Sequence, residues 1–111
     1  MKIFTYLFVL IALSSYSQVQ IGNDLDGLVS FDYFGHAISL NQNGSIIAIS
    51  SSGNNSAGKV QVFENQNGSW VQIGSDINGE MSSDHSGNSI SLNDNGDILA
   101  IGAYGNGLNS G

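Results

Sequence analysis

The chain has 111 residues, fifteen glycines, no proline and no cysteine, and a formal net charge of −7. Without cysteine, neither a disulfide nor a thiolate metal site can hold the fold. Lys2 and Lys59 are the only cations, which excludes nucleic acid and anionic lipid as partners, because both are bound by neutralising phosphates.

In chain order, Met1-Lys2 supplies a short positive start and Ile3–Leu13 an apolar run of eleven residues. Ser14-Ser15-Tyr16-Ser17 then puts small residues before Gln18. This three-part pattern predicts a cleavable signal peptide over 1–17, with a helical apolar segment. The run is too short to span a bilayer, which takes about 20 residues. Its removal takes Lys2 with it, leaving nine acids against Lys59 and a net charge of about −8. Export follows, with no membrane insertion after the leader is cut.

Sliding the remainder against itself by 52 positions aligns Val19–Ala57 with Val71–Asn109 without a gap, and 20 of the 39 pairs are identical. Val19-Gln20-Ile21-Gly22 matches Val71-Gln72-Ile73-Gly74. Ile38-Ser39-Leu40-Asn41 matches Ile90-Ser91-Leu92-Asn93, and Gly53-Asn54 matches Gly105-Asn106. Half identity over a whole unit marks a repeat architecture. Within the unit apolar residues alternate with a period of two, as in half-buried strands. Four strands are predicted, at about 36–41, 46–51, 59–64 and 70–74, followed by a Gly/Asp/Ser-rich connection at about 75–86. Asn43-Gly44, Asn95-Gly96 and Asn67-Gly68 predict type I′ hairpin turns.

The fold class expected is therefore all-β, with four antiparallel strands per repeat of about 52 residues, the unit from which β-propellers are built. The segments expected are the leader at 1–17, then the last strand of a preceding blade with its connecting loop at 18–33. A complete blade follows at 34–74, and a loop with a partial second blade at 75–111. So few residues predict an incomplete ring, a fragment completed by further blades of the same chain.

Phe34-Gly35, Ile101-Gly102-Ala103-Tyr104, the Gly-x-Val-x-Val-Phe stretch Gly58–Phe63 and the segment Gly68–Gly74 resemble the FG-GAP repeat. That repeat forms the propeller of integrin α-subunits and of many exported bacterial proteins. The chain departs from it at Ser86, in place of the second Phe, and at Ser50-Ser51-Ser52, in place of Gly-Ala-Pro. The resemblance implies a secreted or cell-surface bacterial protein of the kind exported through type IX machinery. It also implies a calcium loop in the hairpin, where the first copy has no carboxylate and the second has Asp94 and Asp97. Since Asn and Asp also favour tight turns, turn chemistry is the leading reading there and a weak calcium site the minor one.

No catalytic set stands out. Asp84-His85-Ser86 is contiguous, unlike a triad assembled from separate elements. His36 and His85 are not repeat equivalents, since they align with Asn88 and Tyr33. Acids such as Asp24/Asp26 fall in a connection, where acids are usually solvated. The predicted function is a non-catalytic exported module that presents loops at about 23–35 and 75–87 to a protein or carbohydrate partner, with Phe31, Asp32, Tyr33, Asp84 and His85 as the ligand-binding candidates. A structural spacer in a larger surface protein, or a fragment of an enzyme whose catalytic domain lies elsewhere, are the alternatives.

Overall fold

The computed structural model describes residues 17–109; the leader expected over 1–17, with its helix, falls almost wholly outside them. The described chain is mostly antiparallel β-sheet. Strands β1 (Phe34–Leu40), β2 (Ile46–Ser51), β3 (Lys59–Gln66) and β4 (Ser69–Gln72) form a meander in sequence order. After the two-residue strand β5 (Ile77–Asn78), a second hairpin forms from β6 (Ser89–Leu92) and β7 (Leu99–Gly102). Among the described residues helix is confined to a 3₁₀ turn at Asn54–Ser56 and a single α turn, α1, at Asn106–Asn109, which occupy matching positions of the two copies.

The repeat in the sequence is a repeat in the backbone. Ile38, Ser39 and Leu40 of β1 face Ile49, Ala48 and Ile47 of β2. Fifty-two residues on, Ile90, Ser91 and Leu92 face Ile101, Ala100 and Leu99. The hairpin turns match as well. Asn41 N donates to Ile46 O and Asn93 N to Ile98 O, both at 3.0 Å. The Asn41 and Asn93 side chains each accept from the same backbone nitrogens, Ile46 N and Ile98 N, at 2.9 Å.

Three sequence expectations need correction. Asn43-Gly44 and Asn95-Gly96 are not type I′ turns, because only the glycines have positive φ. Each loop is longer than two residues and built on a turn at its start, with Gly44 N bonded to Asn41 O and Gly96 N to Asn93 O. The Asn41 or Asn93 amide closes the rest, a side-chain substitute for ladder bonds. Asn67-Gly68 does have both φ positive, at 54° and 88°, as I′ geometry requires. The second correction concerns the expected connection after residue 74. Gly74, at φ +73°, turns the chain so that β5 resumes pairing along β3, with Lys59 opposite Asn78 and Val60 opposite Ile77. The fourth edge is thus two short strands with a break, not one strand and a loop. At the other end, the expected last strand of a preceding blade is not formed, for Val19–Gly22 carries no ladder. It is held by Trp70 Nε1, which donates to Ile21 O at 2.9 Å.

That break is pinned electrostatically. Gln72 and Gln61 donate to Asp76 Oδ1 at 2.7 and 2.9 Å, and Lys59 Nζ lies 3.7 Å from Oδ2. The Gln72 hydrogen bond first, then those of Gln61 and the Lys59 charge, hold the Asp76 carboxyl below its ordinary 3.8 against an opposing desolvation. Because the folded-state value is depressed, the stabilisation is present above pH 3.8 and is lost as the pH falls through the folded value. The group is well solvated, so the contribution stays under about 1 kcal/mol. Asp76→Asn is expected to flatten the acid limb of a Tm-against-pH series and to shift neutral-pH stability little. An unchanged acid limb would remove this role.

Among the described residues the core is small and mostly polar. Ala48, Ile49 and Val60 are its buried apolar residues, alongside buried Asn41, Ser50, Ser51, Ser52 and Ser86. Every buried side-chain N or O among the described residues has a hydrogen-bond partner, as burial in low dielectric demands. No helix among the described residues is long and apolar enough to cross a membrane.

Candidate functional site

Each copy carries the same turn just before its first strand. In the first copy, Phe31 and Tyr33 adopt positive φ of 66° and 53° on either side of buried Asp32. In the second, Ser83 and His85 do so at 74° and 51° on either side of buried Asp84. Left-handed backbone at a residue with a Cβ costs on the order of 1–3 kcal/mol and persists only where its surroundings enforce it.

The enforcing group is the aspartate. Asp32 Oδ2 accepts from Asn54 Nδ2 at 3.1 Å, and Asp84 Oδ2 accepts from Asn106 Nδ2 at 3.3 Å. Gly53 N donates to Asp32 O at 3.0 Å and Gly105 N to Asp84 O at 3.1 Å. Met81 N adds a further bond to Asp84 Oδ2 at 2.9 Å. The turn therefore clips the start of one hairpin to the loop that follows it. Gly53 has to be glycine, because the Phe31 carbonyl oxygen, with the Tyr33 ring beside it, occupies the space that a Cβ would need.

Of the residues that the sequence nominated, Phe31, Tyr33 and His85 come together, in a cleft of about 510 Å³ at the seam between the copies. Asp32 and Asp84 lie beneath the turns, 7% and 3% exposed, and position the ring-bearing residues above them. Tyr104, at the position that Ser52 holds in the first copy, stacks on His85 with ring centroids 4.8 Å apart and planes 7° from parallel. His36 Nε2 donates to Asn88 Oδ1 at 3.2 Å across the seam. These two positions align in the repeat, so the offset that set His36 apart from His85 is the one that brings it to Asn88. Tyr104, His36 and Asn88 were not singled out as ligand residues from the sequence; reading the 52-residue offset as a stacking vector would have found the last two.

The cleft thus offers broad aromatic surface with imidazole, hydroxyl and amide groups at its edges. Phe31, Tyr33 and Tyr104 are 83%, 64% and 57% exposed. Aromatic faces held open by strained backbone are suited to stacking against a flat or weakly polar ligand face.

Asp94 and Asp97 lie apart from the cleft, in the β6–β7 turn. Asn93 Nδ2 donates to Asp97 Oδ1, and Asp97 N donates back to Asn93 Oδ1. Asp94 lends its backbone carbonyl to Gln42 N at 3.1 Å. The geometry is that of turn chemistry, and among the described residues no group of three or more His, Cys, Asp or Glu side chains could hold a metal ion. Compared with known proteins, the chain matches no family model, no curated protein and no solved structure.

Proposed function

We propose that the chain is an exported, non-catalytic repeat module of the β-propeller kind, resembling FG-GAP repeats, that holds an uncharged saccharide in the seam cleft. The observation that carries this reading is the convergence of Phe31, Tyr33, His85 and Tyr104 with the His36–Asn88 pair. Export rests on the leader pattern at 1–17. Binding without catalysis rests on a cleft whose lining offers rings, hydroxyls and an amide but no carboxylate side chain. A saccharide is favoured because sugar rings pair an apolar face with a hydroxyl rim. Anionic ligands are disfavoured by the acidic surface and its single cation outside the leader.

The test is a glycan and protein array screen of the full chain, followed by calorimetry on the hits. A neutral oligosaccharide is expected to bind, with Tyr104→Ala weakening it tenfold or more, a loss of about 1.4 kcal/mol. Binding that Tyr104→Ala and Phe31→Ala both leave intact would remove the cleft from the function. Hits confined to protein partners would replace the saccharide. An absence of hits favours the second reading, a structural spacer, which the repeated fold itself supports.

A further inference from the structure

The chain has Asn–Gly pairs at 43, 67, 78, 95 and 106. Such a pair is able to modify itself, because glycine leaves its backbone nitrogen unshielded against the side-chain carbonyl carbon of the asparagine before it. The reaction needs a glycine N–H released from its hydrogen bond and an asparagine side chain free to swing over it. It also needs a backbone that fits the succinimide ring formed on the way.

The fold withholds these conditions from most of the pairs. Gly44 N, Gly96 N and Gly79 N donate to the backbone carbonyls of Asn41, Asn93 and Gly58 at 3.1, 3.0 and 2.8 Å. All three glycines are half-buried. Asn43 Oδ1 accepts from Ser45 N at 3.0 Å, and Asn106 Nδ2 donates to Asp84 Oδ2 at 3.3 Å. Asn67 and Gly68, at the tip of the β3–β4 hairpin, differ on each count. Both are exposed, and nothing lies within 4 Å of where a Gly68 Cβ would stand. Gly68 N is held by a side chain, donating to Asn65 Oδ1 at 2.8 Å, and a change of rotamer releases it.

Among the described residues Asn67 is also the one asparagine of these pairs with positive φ, at 54°. A succinimide fits the conformation that opens a type II′ turn, with φ positive and ψ of about −120°. Types I′ and II′ both close two-residue hairpins. Turning over the Asn67–Gly68 peptide plane is therefore enough, and the ring forms without unpairing β3 from β4.

We propose that Asn67 is a self-modification site, where attack of Gly68 N on Asn67 Cγ turns the asparagine into aspartate and isoaspartate in the folded protein. The new N–C bond expels the side-chain amide nitrogen, which leaves as ammonia with the proton of Gly68 N. Water then opens the imide. Opening at the side-chain carbonyl gives aspartate at 67; opening at the other routes the main chain through Cβ and Cγ as isoaspartate. The extra backbone carbon loosens the pairing of Gln66 with Ser69 and of Asn65 with Trp70. Trp70 Nε1 holds Ile21 O, and Gly68 O borders Gly22, so residues 19–22 loosen with the turn. No ligand in the cleft is involved.

Prolonged incubation of the full chain at neutral pH, followed by peptide mapping with mass spectrometry, tests this. Asn67 is expected to convert before the other pairs, with isoaspartate among the products. In urea, where the fold no longer selects, all the pairs are expected to convert at like rates. Asn65→Ala removes the bond that holds Gly68 N and should speed conversion about two- to tenfold, the equivalent of one neutral hydrogen bond. Asn65→Asp keeps an acceptor oxygen and should stay at or below the wild-type rate. Circular dichroism verifies that both variants fold, and if either does not, the ranking of the pairs in the wild-type chain decides. An Asn67 that stays intact while the chain in urea converts would overturn the inference. So would another pair leading in the folded protein, the same lead for Asn67 in urea, or a folded Asn65→Ala protein no faster than wild type.

Discussion

Gly58→Ala is expected to destabilise the protein by about 3 kcal/mol or more. Gly58 sits at φ +82°, and a Cβ there would collide with the backbone of Ser86, which forms a parallel bridge to it. Backbone strain at an L-residue in this region contributes on the order of 1–3 kcal/mol. The clash adds about 1–3 more, because no flexible side chain can give way. The contact also joins the two copies: Ser86 N donates to Ala57 O and Gly79 N to Gly58 O, both at 2.8 Å. The second hairpin should therefore loosen together with the junction. Urea denaturation measures the loss, and Gly44→Ala is the control. Gly44 has a similar φ of +72° with open space around it, so only the backbone strain of about 1–3 kcal/mol is expected there, without the clash. Equal losses at the two positions would mean that the Gly58–Ser86 approach contributes nothing.

Asp84→Ala is the second large effect, at about 2–4 kcal/mol. The carboxylate is 3% exposed and accepts from Met81 N and Asn106 Nδ2. Removing it takes away hydrogen bonds to a charged acceptor and leaves a donor without its partner. Asp84→Asn keeps an oxygen in place and is expected to lose less. Asp32→Ala should cost less than Asp84→Ala, since the backbone bond that Met81 gives Asp84 has no counterpart among the side-chain bonds of Asp32. The readout is thermal melting. A second readout follows from the same geometry: His85 is the neighbour of Asp84 and stacks on Tyr104, so releasing the turn should also disturb the seam cleft. An Asp84→Ala protein as stable as wild type would deny the turn its anchor.

How much of this was legible beforehand depends on distance along the chain. Alternation at Ile38–Leu40 and Val60–Val62 marked the strands, because side chains of a strand alternate between faces whatever surrounds them. The 52-residue offset marked the repeat, since equal sequences fold equally when their local surroundings match. The Asn41 and Asn93 loops were placed correctly but assigned the wrong turn, because the amide that closes them bonds five residues on. The β5 segment was missed because Ile77 alone is too short a run to signal a strand, and it pairs only because Gly74 turns it back toward β3.

The candidate site was legible in half. Phe31, Tyr33 and His85 stood out as residues in loops, whereas Tyr104 joins them through a ring stack and Asn88 through a bond across the seam. The burial of Asp32 and Asp84 beneath the turns was not legible, because nothing in the local sequence separates an acid that anchors a turn from one in an open loop.

The sequence by itself determined the all-β character, the repeat and the positions of β1 to β4, since these rest on alternation and turn residues that act over a few positions. Only the tertiary structure decided which face of each copy is covered, which residues share the seam cleft and what the buried aspartates do. Those outcomes depend on how one copy lies against the next, and identical residues such as Leu40 and Leu92 cannot encode a difference that neighbours alone impose.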